Sequence, residues 1–246
     1  MRIFFVSDTH GAQDLSKIDR NAVQMLGIRS DDLLIHCGDF GAPWCCEEDE
    51  TLRYWRSFPC DVVVCLGNHE NYDWIERQEM TAYAGGRVRR LGKHVFAPLL
   101  GERLTLFGCD FWFFPGAYSA NRSMWHLGKT LFAQEMPERE AAESAIDRFL
   151  AGPPVDFIIS HDGPRGFVEK YLGYSISHPS EEYFRTIRRS PDQKLHPGYA
   201  LDRIYEAERK AQYWLFGHHH IDVSAEYLRC LFDDIAVYDT QEHRFL

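Results

Sequence analysis

An α/β fold organised around a parallel sheet is predicted by three features of the sequence. Short apolar runs alternate with amphipathic stretches between residues 2 and 66. The runs are rich in Val, Ile and Phe, as strands buried on both faces are. Each run ends abruptly in Gly, Asp, Asn or His rather than fading into a loop. The first run covers residues 2–7, with Ile3, Phe4, Phe5 and Val6 at its centre, and a helix is predicted over 18–26. Residues 32–37 read as a second buried strand that stops at Gly38-Asp39. Residues 47–57 read as a helix whose glutamate-rich start suits the positive end of a helix dipole. Val62, Val63 and Val64 centre a third strand, 61–66, which runs into Gly67-Asn68-His69-Glu70. Strand, helix, strand, helix, strand is the pattern of a parallel sheet covered on both sides.

Further strands are predicted at 95–97 and 104–108. The stretch 137–150 reads as an amphipathic helix with Ala141, Ala145, Ile146, Phe149 and Leu150 on its apolar side. Residues 155–160 form another apolar strand ending at His161. A helix over 199–211 precedes a strand at 213–216, which ends in Gly217-His218-His219-His220. The tail, 223–238, reads as a meander of antiparallel strands turning at Asp233-Asp234.

The 246 residues contain no repeat, low-complexity tract or Pro/Gly/Ser-rich linker, so one domain over 1–246 is expected. Hydrophobic residues at 45% exclude a disordered chain. No apolar run approaches the roughly 18 residues of a membrane span, and MRIFFVSDTHG is too short a run for a secretory leader. Seven cysteines, with Cys45 and Cys46 adjacent and no CxxC pair, suit reduced thiols in a soluble cytoplasmic protein. Lys and Arg number 27 against 37 Asp and Glu, a formal charge of −10. That balance weighs against a clamp for long nucleic acid, but not against an enzyme whose positive charge arrives as bound cations.

Twelve histidines are many for this length. Asp8-Thr9-His10, Gly38-Asp39, Gly67-Asn68-His69, His161 and Gly217–His220 each follow an apolar strand, and in open α/β sheets the carboxyl ends of strands form the ligand crevice. Together they offer carboxylates, an amide oxygen and imidazoles but no thiolate, a set suited to Mn²⁺, Fe²⁺ or Zn²⁺ and not to copper(I) or an iron–sulfur cluster. Seven ligands exceed one tetrahedral zinc, whereas two ions sharing a carboxylate would use them all. The glycines before Asp39, Asn68 and His218 fit sharp turns. His36, His94, His126, His178, His196 and His243 read as ordinary structural histidines, and His219 as either a bystander or a contact behind the ligands.

D-x-H, GD, GNHE, an isolated His after a strand, and GHxH, in that order over positions 8–220, strongly resemble the calcineurin-like metallophosphoesterases. The resemblance implies a four-layer αββα sandwich, two mixed sheets flanked by helices. It implies that Asp8, His10 and His220 hold one metal, that Asp39 bridges to a second, and that Asn68, His161 and His218 complete it. Two divalent ions are implied, Mn first, with Fe, Zn or Ni as alternatives. The implied reaction is hydrolysis of a phosphate ester by a metal-bridging hydroxide, with Asp39 and His69 as the catalytic pair. His69 would serve as general acid or substrate contact.

The sequence departs from the protein Ser/Thr phosphatases of that superfamily. Ala42 stands where an acidic partner of the catalytic histidine is expected, and Pro43 and Leu66 replace two phosphate-gripping arginines. GDFGAPW, Glu70-Asn71 and His161-Asp162-Gly163-Pro164 look more like small bacterial or phage-type members. Residues 110–130 and 163–197 are long polar–aromatic connections expected to cap the site, with Arg122 or Arg165 meeting a phosphate oxygen; solvated loops or a dimer surface are the competing reading. The expected partner is a small phosphorylated substrate, with no long nucleic acid and no membrane. A nuclease or cyclic-nucleotide phosphodiesterase using the same metals is the alternative. A non-catalytic scaffold is disfavoured because no ligand and no catalytic histidine is missing.

Overall fold

The apolar runs become strands whose two faces are covered by different partners. The computed structural model describes every residue except Cys45, so the reading of the Cys45-Cys46 pair lies partly outside the described residues; Cys37, Cys46, Cys60, Cys65, Cys109 and Cys230 are free thiols. Among the described residues, fourteen strands run in chain order: β1 (Arg2–Val6), β2 (Leu33–His36), β3 (Asp61–Val64), β4 (Met80–Tyr83), β5 (Gly86–Arg90), β6 (Val95–Pro98), β7 (Arg103–Leu106), β8 (Cys109–Phe114), β9 (Val155–Ser160), β10 (Ala211–Phe216), β11 (Val223–Ala225), β12 (Leu228–Cys230), β13 (Ala236–Asp239) and β14 (Arg244–Phe245). The helices are α1 (Arg20–Leu26), α2 (Glu50–Arg56), α3 (Tyr72–Ile75), α4 (Arg139–Ala151), α5 (Arg165–Phe167), α6 (Glu181–Ile187) and α7 (Pro197–Tyr205).

One sheet has the order β14-β13-β1-β2-β3-β6-β5-β4 and the other β11-β12-β10-β9-β8-β7. Parallel pairing joins β1, β2, β3 and β6 in the first sheet, and β8, β9, β10 and β12 in the second; antiparallel strands finish both sheets at their edges. Side chains alternate accordingly. Phe4, Val6, Leu34, Val62 and Val64 face outward against Val23 and Leu26 of α1 and Leu52 and Trp55 of α2. Ile3, Phe5, Leu33, Ile35 and Val63 face inward onto Phe111, Phe113, Phe157, Ile159 and Leu215 of the other sheet, with Phe5 and Phe157 rings 5.4 Å apart. Trp112, Phe114, Ile158 and Trp214 point outward onto α4 and α7. Helices, sheet, sheet and helices form the four layers that the family resemblance implied.

Several local expectations shift. Helix α1 begins at Arg20 because Asp19 caps it, accepting from the N–H groups of Asn21 and Ala22. On α4 Ala142 and Ala145 are buried, while Ala141 is exposed. The helix expected at 199–211 stops at Tyr205, and strand geometry begins at Ala211. The tail is not one meander: β12 joins β10 in parallel, whereas β13 crosses to pair antiparallel with β1 of the other sheet. Residues 109–114, read partly as cap, are instead the buried strand β8. Beyond it, Tyr118, Leu131 and Met136 pack with Tyr183, Phe184 and Ile187 of α6 into a separate cluster beside the strand ends.

Candidate metal centre

Parallel pairing aligns the carboxyl ends of β1, β2, β3, β9 and β10, and the polar clusters leave the sheets there. Asp8, His10, Asp39 and His220 bring one ligand atom each to within 4.8 Å of one another, and Asp39, His161 and His218 form a second such group. Asp39 belongs to both. Asn68 joins the second group, its Oδ1 lying 3.1 Å from His161 Nε2. All seven residues named from the sequence as ligands therefore meet at one place, and His69 stands beside them.

The loops that carry these groups are tightly constrained. Asp8, His10, Asp39, His218 and His220 all adopt positive φ, between 46° and 68°. Asp and His tolerate this region better than most residues, and such strain persists where surrounding structure holds it. Two of the glycines serve space rather than a turn. A Cβ on Gly67 would lie 2.2 Å from Asp39 Oδ1, and one on Gly217 would lie 1.8 Å from Ser7 Oγ and 2.2 Å from Asp8 Oδ2. Neither has positive φ, so close approach, and not the turn expected from the sequence, explains these two.

The donor set fits divalent cations. His161 Nδ1 donates to the Cys37 carbonyl over 2.8 Å, which leaves Nε2 as the free lone pair. That Nε2 faces Asp39 Oδ1 and Asn68 Oδ1, each at 3.1 Å. Three acceptors converging this closely call for positive charge between them. Burial disfavours the charged ring, but Asp39 and Asp8 outweigh burial and raise His161 to about 10. His10 behaves alike. Burial opposes its charge, Asp39 and Asp8 prevail, and its imidazole rises to about 9. Its Nδ1 donates to Asp14 Oδ2 over 2.9 Å, fixing the ring with Nε2 toward Asp39 Oδ2 at 3.2 Å, the carboxylate–histidine arrangement that orients metal ligands. Burial works against the negative charge of Asp8 and Asp39, yet the surrounding imidazoles hold both carboxyls below their ordinary range. Burial also lowers His218 to about 3, so its ring is a neutral donor.

His69 lacks the carboxylate partner that Ala42 fails to provide. Its backbone N–H donates to Asp39 Oδ1 over 2.7 Å, its ring stacks on Trp44 at 6.0 Å and meets the His10 ring edge-on, and its buried Nδ1 has no hydrogen-bond partner among the described residues. Trp44 thus helps orient the ring.

The centre opens into a cleft of about 350 Å³ lined by Asp39, Asn68, His69 and residues 218–220, with walls from Tyr118–Asn121, Met124, Tyr174–Ser177 and His196. His219 is placed on this wall, its Nδ1 beside the Tyr174 hydroxyl and its Nε2 3.1 Å from Asp162 Oδ1. Arg122 and Arg165, expected to contact phosphate, are held elsewhere. Arg122 pairs with Glu182, and Arg165 lies 2.8 Å from Asp202 Oδ2 and over the Tyr199 ring. Neither lines the cleft.

Other groups at the centre were not singled out from the sequence. Glu70 accepts from the buried N–H groups of Phe40, Gly41 and Gly67, clasping the two loops that carry Asp39 and Asn68. Lys17 donates to the carbonyls of Ser7, Asp8 and Phe232, and the Phe232 ring stacks on His220 at 4.6 Å. Asp14, four residues after His10, carried a helix-like spacing signal, and Glu70 sat inside a motif; Lys17 and Phe232 carried none. His36 is a core histidine against Phe40 and Trp55, and His196 caps α7.

An α/β sandwich with histidine, aspartate and asparagine donors gathered at its strand ends is suited to holding divalent metal ions. Residues 1–222 match the sequence model of the calcineurin-like phosphoesterases. The chain belongs to that family, and is a metal-dependent phosphoric ester hydrolase. No curated protein matches it. Among solved structures, one crystal structure at 12% identity and TM-score 0.54 covers 100% of this chain and 97% of its own, a likeness of fold alone. The chain is also similar to an archaeal phosphodiesterase, at 10% identity, TM-score 0.42 and coverage of 100% and 98%. A putative 5′-nucleotidase from Staphylococcus aureus gives 12% identity and TM-score 0.48, covering 99% of this chain and 52% of that one. Among the described residues no helix is long and apolar enough to cross a membrane.

Proposed function

We propose that this chain is a dinuclear phosphoesterase acting on a small phosphate ester, with the whole length forming one catalytic unit. The carrying observation is the pair of donor groups that share Asp39. Asp8, His10, Asp39 and His220 would hold one cation; Asp39, Asn68, His161 and His218 would hold the other. The mixed nitrogen and oxygen set without thiolate favours Mn²⁺, with Fe, Zn or Ni as alternatives. Bound there, two cations would neutralise phosphoryl charge and acidify a water. Asp39 sets the spacing between the two positions, while Asp14 and the Cys37 carbonyl fix the rings of His10 and His161. His69, its unpartnered Nδ1 beside the cleft, would contact a phosphoryl oxygen or hand a proton to the leaving oxygen.

One observation favours a diesterase. Among the described residues no Lys or Arg lines the cleft; beyond the candidate ligands its walls are hydroxyls, amides, Met124, Ile176, the rings of Tyr118 and Tyr174, and the imidazoles of His196 and His219. A phosphodiester, with its single negative charge, suits such walls better than a monoester or a polyphosphate, whose further charges would lack partners. The test is hydrolysis of chromogenic monoester and diester substrates by the metal-loaded protein. Mn²⁺-dependent turnover with preference for the diester is expected, and Asp39→Asn should lose at least about 100-fold while staying folded. Wild-type activity in Asp39→Asn, with metal saturating, would overturn the site assignment.

A further inference from the structure

The cleft wall carries a hydrogen-bond chain that none of the motifs contains. Asn68 is buried, and its Nδ2 donates to Ser119 Oγ over 3.0 Å. Ser119 Oγ donates in turn to Glu135 Oε2 over 3.0 Å, and the Ser119 backbone N–H donates to Glu135 Oε1 over 3.0 Å. From α6, the Tyr183 hydroxyl donates to the same Oε1 over 2.8 Å. Glu135 is fully buried and, among the described residues, forms no ion pair. A buried carboxylate facing only neutral donors is costly to keep, and a glutamine or an apolar residue would fill the same space more cheaply.

What a carboxylate does that glutamine cannot is accept at both oxygens. Ser119 has one hydroxyl proton. Once that proton is committed to Glu135, Ser119 Oγ can only accept, so the NH₂ end of Asn68 must face it. The other end, Oδ1, is thereby turned toward His161 Nε2 and the position shared with Asp39. An amide binds a cation through its oxygen and not through its NH₂ group. We propose that Ser119 and Glu135 are positioning residues that determine which end of Asn68 faces the second cation position. Tyr183 anchors Glu135 to α6, so the packing of that helix also bears on the ligand. This inference rests on the dinuclear reading above.

The test titrates metal-free protein with Mn²⁺ by calorimetry and follows the spin-coupled manganese pair by EPR. The work is done at pH 8.5, above the value of about 8 to which burial raises the Glu135 carboxyl. Glu135→Gln keeps an oxygen for Tyr183 and the Ser119 N–H, but presents NH₂ to Ser119 Oγ and frees the hydroxyl proton to reverse Asn68. Second-ion affinity should fall about 10–100-fold, first-ion affinity should hold, and the coupled signal should give way to isolated Mn²⁺. Ser119→Ala should weaken the second ion less, and Glu135→Gln added to it should add nothing, because the effect passes through Oγ. Equal losses at both ions, additive losses, or unchanged second-ion binding in the single variants would overturn the proposal. If Glu135→Gln does not fold, Ser119→Ala decides: unchanged second-ion affinity overturns it. A wild-type protein that takes up one ion only would overturn the dinuclear reading itself, and this proposal with it.

Discussion

Glu70 is the residue at which local geometry makes the sharpest stability claim. Its Oε1 accepts from the Phe40 and Gly67 N–H groups at 2.9 and 3.0 Å, and its Oε2 accepts from the Gly41 N–H at 2.9 Å. All of these groups are buried. Glu70→Gln keeps one acceptor oxygen for Phe40 and Gly67 but sets an NH₂ group against the Gly41 N–H. One unmet buried donor costs about 1–3 kcal/mol, and in a chain of this length each 1 kcal/mol lowers Tm by about 2–4 °C. A drop of about 6 °C is therefore expected. Glu70→Ala strands three donors, for a loss of about 3–9 kcal/mol before water enters, a large part of the stability of an ordinary domain. Because Asp39 and Asn68 ride on the clasped loops, metal affinity should fall together with Tm. Calorimetric melting of the metal-free variants, followed by Mn²⁺ titration, measures both. A Glu70→Gln protein with wild-type Tm and wild-type metal affinity would refute the claim that this carboxylate clasps the loops.

The remaining expectations are narrower. Gly217→Ala drives a Cβ into Ser7 Oγ and Asp8 Oδ2, so metal binding at the Asp8 group should be lost even where circular dichroism reports folded protein. Chelation with EDTA should lower Tm and Mn²⁺ at 100 times its Kd should restore about 2.7 kcal/mol; a Tm indifferent to chelator would exclude a preformed site. Asp32 accepts from the Arg2 and Arg29 N–H groups and from the Arg2 guanidinium. Burial opposes its charge, but these donors hold its carboxyl below the ordinary value. Its stabilising contribution is thus present above pH 3.8 and disappears as the pH falls through the lowered value. Asp32→Asn should cost about 1–3 kcal/mol near neutrality and progressively less in acid, as urea melts across pH would reveal.

The candidate ligands were legible because each follows a strand that announces itself. Val6, His36, Val64, Ser160 and Phe216 end runs too apolar to be anything but buried strands, and parallel pairing sends such ends to one edge. Less regular segments were not legible. The β4–β5 hairpin has no apolar run, its buried Val88 standing alone among Arg87, Arg89 and Arg90. The core strand β8 resembled cap material because its aromatic residues, buried on both faces, show no alternation.

The sequence by itself pointed to an α/β fold and to the side chains that gather at the strand ends, since strand periodicity and motif order are local properties. Tertiary structure alone decided how those side chains are aimed. Asn68 meets Ser119 fifty-one positions away, Lys17 meets Phe232 two hundred and fifteen positions away, and Glu135 reaches the centre only through a folded loop. It also decided that Arg122 and Arg165 turn to Glu182 and Asp202, so that among the described residues no Lys or Arg lines the cleft. Hydrogen bonds between distant segments leave no periodic trace in a sequence, because nothing local requires them until the sheets bring their ends together.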